Sequence, residues 1–233
     1  MSREIEQDFQ YTLQFLNQYT LETMISNPKC HNQIKCMHRK LYSFMVFLNE
    51  MERINCIDKV SLKYFKEVST DLILTLFCWI NGVYKSAKLQ MRSSIENFLK
   101  ATSYLEEPKV IDKKSVYEIF DIAESTVCYS NDFSKLRFNV ISSEYSKLCA
   151  TVHGALEKLC DVGGLIKFPV YDEIEAMETS NDFDKIISAY LGVIYFTYYT
   201  NIFQMHELNR DLFLQGLGKK EKSDIYNIKL DLE

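Results

Sequence analysis

The sequence is poor in residues that break a chain. Its 233 residues include only 7 glycines and 3 prolines, which excludes a loop-dominated protein and leaves long uninterrupted elements. It has no excess of basic residues. The formal net charge is −5, which excludes an overall positive field able to hold a phosphate backbone. A nucleic-acid role would rest on a local patch or on a partner's charge. Short basic clusters at Lys35 to Lys40, Lys113–Lys114 and Lys219–Lys222 read as solvated surface. There is no CxxC pair, and the 7 cysteines are odd in number. With the charged start MSREIEQDFQ, which is no signal peptide, this predicts free thiols in a reducing cytoplasm. No GxxxxGK[ST] or GxGxxG loop, HExxH pair or GxSxG elbow occurs, so the familiar phosphate-loop, zinc-protease and serine-hydrolase signatures are absent.

Hydrophobic residues make up 47% of the chain, enough to bury a core without disulfides. One stretch, "IISAYLGVIYFTYYTNIFQM" from Ile186 to Met205, runs 20 residues without a charge. That is the length of a membrane span. Its hydroxyls, amides and 4 tyrosines would be costly in hydrocarbon, so it reads as a buried central helix and a membrane role is not expected.

Helical periodicity dominates. The pattern predicts helices over residues 3–25 and 31–53, separated by "SNPK". A third runs from Ser61 to Leu105, where Gly82 either kinks it or marks a close crossing, and ends before Pro108. Others follow over 115–127, 133–159 and 182–215. Asn131 or Asp132 is placed to cap the helix from 133, and "DVGGLIKFPVYDE" at 161–173 reads as loop. The end, "IYNIKLDLE", alternates apolar and polar residues, which is the period of a strand. The expected fold is therefore all-α: a bundle of five to seven helices forming one domain over residues 1–218. A charged, then strand-like, tail over 219–233 would pair with a partner chain or stay flexible.

Two motifs weaken on inspection. "CHNQIKCMH" at 30–38 suggests zinc, but His31 and His38 lie seven residues apart. On a helix that is about 10 Å along the axis, too far for one ion, so no metal or cofactor is expected. "HELNR" at 206–210 reads as a polar helix end.

A stronger pair of stretches remains. In "LQMRSSIENFLKATSYL", Leu89, Arg92, Glu96 and Leu99 share one helical face, beside the apolar stripe of Met91, Ile95 and Phe98. Arginine four residues before glutamate is the weaker order for an exposed pair, and the flanking leucines imply partial burial. In "SEYSKLCATVHGALEKL", Tyr145, Cys149 and His153 fall four apart, next to Leu148, Val152 and Leu156. Together these predict that Arg92, Glu96, Tyr145 and His153 converge at one helix–helix seam, with Gly82 permitting close approach. A closed seam would be a polar network fixing helix register. An open one would offer a cation and a proton-transfer group.

Gly82, Tyr84, Ala87, Arg92 and Glu96, followed by Tyr145, Leu148, Cys149, Val152, His153 and Gly154, resemble the pattern of divergent HEPN-like helical proteins of bacterial abortive-infection and toxin–antitoxin systems. The resemblance covers residues 70 to 155. It implies an all-α domain, often a homodimer or bound to a partner protein of the same system, acting as a metal-independent endoribonuclease or RNA-binding effector. By that likeness Arg92 binds phosphate, His153 acts as acid or base, and Glu96 and Tyr145 orient them. The family's usual Arg-x4–6-His signature is absent, since Arg92 reaches Asn97 at that spacing. The alternative reading is a non-catalytic module that docks on a larger effector through its helices and the alternating tail.

Overall fold

The computed structural model describes residues 3–152 and 163–230. Among these residues the fold is all-helical, with eleven α-helices. The first three are α1 (Arg3–Gln18), α2 (Glu22–Ser26) and α3 (Pro28–Ile54). Asn27 accepts from the backbone N–H groups of Lys29 and Cys30 at 2.9 and 3.3 Å, ahead of Pro28, so "SNPK" starts α3 by side-chain capping. Asn55 ends it in the left-handed region at φ 51°.

The expected continuous helix from 61 to 105 is instead two helices, α4 (Lys59–Ile80) and α5 (Tyr84–Ser103). The chain reverses at Gly82, whose φ of +72° suits glycine. A Cβ there would lie 2.1 Å from the Val170 carbonyl oxygen. Gly82 therefore serves a turn and a crossing loop, not the predicted helix–helix seam. The two helices pack antiparallel: Phe65 meets Phe98 with ring centres 5.9 Å apart, and Asn97 donates to Asp71 at 2.9 Å.

The remaining helices are α6 (Val116–Ser125), α7 (Asp132–Val152), α8 (Glu173–Thr197), α9 (Tyr199–Ile202), α10 (Glu207–Leu214) and α11 (Lys219–Leu230). Asn131 caps α7 through Ser134 N–H, and Asp172 caps α8. Among the described residues no helix is long and apolar enough to cross a membrane. The apolar run from Ile186 instead supplies the centre of the bundle. α8 packs against α3, α4, α5 and α7, and its Ile186, Ile187, Tyr190, Leu191, Val193 and Ile194 are fully buried. Tyr190 stacks on Phe98 at 3.9 Å and its hydroxyl meets Ser94 at 3.1 Å, so a phenol that would be costly in lipid finds a partner inside the protein.

Two expectations fail here. The helix count exceeds seven because the long periodic segments are cut at residues 19–21, at Gly82 and after Thr197. The described part of the tail is helix rather than strand. Ile225 is buried, Ile228 packs three residues on, and Glu221, four residues before Ile225, holds Arg137 at 3.0 Å. Those three residues follow the helical period, and the two-residue alternation of Tyr226, Ile228 and Leu230 overlooked Ile225.

Candidate functional site: the Arg92 cleft

The polar face of α5 is a graded one. Leu89 is exposed, Arg92 and Glu96 are half-buried, and Leu99 is fully buried. Beside it Met91, Ile95 and Phe98 are fully buried, which fixes the rotation of α5 and points Arg92 toward α7. There the Arg92 Nε donates to the Tyr145 hydroxyl at 2.9 Å, and that hydroxyl donates to Glu96 Oε1 at 2.9 Å. Arg92 and Glu96 close the ring at 3.5 Å. The guanidinium also lies over the Tyr145 ring, 5.3 Å from its centre, a favourable place for a cation. The phenol is the hinge of the group: it relays one hydrogen bond between two charges that are too far apart for an ideal direct bond.

Burial and the Glu96 hydrogen bond push the Tyr145 phenol up, against the opposing pull of Arg92. It stays protonated at neutral pH and holds position rather than moving protons. The Arg92 guanidinium is raised further by its hydrogen bond to Tyr145, so it is a permanent cation.

The group stands at the wall of a cleft of about 620 Å³. Its lining comes from α5, α6 and α7: Arg92, then Ser115, Val116, Tyr117 and Phe120, then Ser142, Tyr145, Ser146 and Cys149. Among the described lining residues Arg92 is the one charged side chain, and Glu96 pairs with it from behind at 3.5 Å. Tyr117 stands 85% exposed at the rim, while Phe120 packs on Tyr145 at 5.2 Å. A fixed cation, hydroxyls and flat rings together suit a ligand that carries both a phosphate and a base.

Of the four predicted site residues, Arg92, Glu96 and Tyr145 meet. His153 lies outside the described residues, as does Gly154. The α6 wall was not anticipated, because Tyr117 and Phe120 carry no motif. Ser142, Tyr145, Ser146 and Cys149 do follow the helical period, which would have extended the predicted face. Elsewhere α7 is tied to α8 by Lys147–Asp182 at 2.6 Å and Lys185–Glu144 at 2.8 Å, which holds the cleft's back wall to the core. Comparison with protein-family models, curated proteins and solved structures gives no match.

Proposed function

We propose that this chain is an HEPN-like component of a bacterial anti-phage or toxin–antitoxin system, and that it binds or cuts RNA at the Arg92 cleft. The observation that carries the reading is the described lining: one permanent cation, set in place by Tyr145 and Glu96, beside exposed aromatic surface. Arg92 holds the phosphate, Tyr145 and Glu96 fix its direction, and Tyr117 and Phe120 offer faces for an unstacked base. If the RNA is cut, the 2′-oxygen bonds to phosphorus and the bond to the 5′-oxygen breaks. His153 takes the 2′-proton and water protonates the leaving oxygen. Such a reaction uses only proton transfer and charge stabilisation.

The test is RNA integrity in bacterial cells induced to make wild type, Arg92→Ala or His153→Ala, with each purified variant checked by thermal melting. Fragmentation by wild type that is lost in two well-folded variants supports the reading. Variants that fragment RNA as wild type does would refute the assigned roles.

A second reading, a module docking on a larger effector, draws on uncovered apolar side chains. Phe9, Leu13 and Leu16 of α1 and Ile73 and Phe77 of α4 are exposed. Patches of this kind mark interaction surfaces. Co-purification of a partner that is lost on Phe77→Ser, without loss of melting temperature, would favour it.

A further inference from the structure

We propose that α3 carries a second ligand site, for a small phosphorylated ring compound of the nucleoside monophosphate class. The site overlaps the basic cluster of Lys35 to Lys40, which by sequence alone reads as solvated surface. Lys35, His38, Arg39 and Tyr42 recur at the three- and four-residue spacing of one helical face, and all four are exposed. With Cys36, Ser43, Leu212 and Gln215 they line a cavity of about 340 Å³, and no carboxylate lines it.

The charges there are uncompensated. Among the described residues neither Lys35 nor Arg39 has an ion-pair partner, whereas neighbouring Lys40 is held by Asp184. Two like charges four residues apart destabilise a helix, a cost that a bound phosphate removes. Arg39 offers a planar fork to phosphate and Lys35 a compact charge. Beside them His38 and Tyr42 stack with ring centres 6.0 Å apart and planes 23° from parallel, so a flat ring can lie on a flat rim.

The back of the cavity is built and closed. Ser43 Oγ donates to the Leu212 carbonyl at 3.0 Å. Gly216 lets the end of α10 approach, since a Cβ there would sit 2.6 Å from that of Ser43. A closed back and a volume near the lower end of small-molecule sites favour a compact ligand. The cavity shares no lining residue with the Arg92 cleft, so the proposal stands apart from the function assigned there.

Two thiols report the two places. Cys36 is exposed and lines this cavity, and Cys149 lines the Arg92 cleft. The experiment follows maleimide labelling of both, by peptide mass spectrometry, on the full chain with AMP, inorganic phosphate, adenosine or a 5′-phosphorylated oligonucleotide. AMP at ten times its dissociation constant slows Cys36 labelling by about tenfold and leaves Cys149 unchanged. Phosphate and adenosine each protect less, because each makes half the contacts. A Lys35→Ala/Arg39→Ala double variant melts no lower than wild type and loses the protection. Unchanged Cys36 labelling, protection of Cys149 instead, or protection that survives in the double variant overturns the site. Phosphate protecting as well as AMP, or the oligonucleotide alone protecting, overturns the ligand class.

Discussion

Replacing Tyr145 with phenylalanine separates the hydroxyl's work from the ring's. The ring keeps its packing on Phe120 and its place under Arg92. What is lost is one hydroxyl that accepts from Arg92 and donates to Glu96, each at 2.9 Å. Buried hydrogen bonds to charged groups are worth about 1.5–3 kcal/mol each. Here the partners keep 24% and 31% of their side-chain surface in water, which rehydrates them and screens the loss. Arg92 and Glu96 can also close on each other. The expected cost is therefore about 1–2 kcal/mol, a fall in melting temperature of about 2–8 °C. Tyr145→Ala also loses the ring and should cost about 3–5 kcal/mol. Thermal and urea melts of both variants are the assay. The reasoning fails if Tyr145→Phe melts with wild type, or if it is as damaging as Tyr145→Ala.

Further outcomes follow from other parts of the fold. Glu50 accepts from Arg53, Asn209 and the His206 N–H, and these bonds, Arg53's first, hold its carboxyl down to about 2 against the effect of burial. A carboxyl lowered on folding contributes stability that is complete above its unfolded value of 4.5 and disappears as pH falls toward 2. Glu50→Gln should thus cost about 1.5–3 kcal/mol at neutral pH, with the gap closing in acid melts. Tyr84, Tyr129, Tyr190 and Tyr198 are all raised by burial. They keep their protons better when folded, so stability should be full below pH 10 and decline above it, read by melts across alkaline pH. Gly82→Ala combines a φ of +72° with a Cβ 2.1 Å from a carbonyl oxygen. It should cost about 2–6 kcal/mol in urea unfolding.

Local signals were legible where one residue type performs one task. Asn131 announced a helix start, and the uncharged run from Ile186 announced the central helix, while "SNPK" reads from sequence as a break and proves to be the cap and first turn of α3. The grouping of Arg92, Glu96 and Tyr145 was readable because three- and four-residue spacings place side chains on faces before any fold is known. The reversal at Gly82 was hidden because apolar periodicity continues on both sides of it and no proline marks it. The glycine is required by its φ of +72° and by the crossing of Val170, and that contact is 88 residues away in sequence. The tail misled because alternation and helical spacing share Ile228, and burial of Ile225 against the bundle decides between them. The cleft itself was invisible, since Tyr117 and Phe120 acquire meaning only when α6 lies beside α7.

Binding of a short single-stranded RNA, followed by fluorescence anisotropy across a salt series, tests the central claim most directly. The account predicts that wild type binds with salt-dependent affinity. Arg92→Ala should weaken binding and flatten the salt slope. Tyr117→Ala, which removes a side chain 85% exposed and leaves the melt unchanged, should weaken binding by about 1–3 kcal/mol through lost base stacking. Both variants binding RNA as tightly as wild type, with the same salt slope, would contradict it.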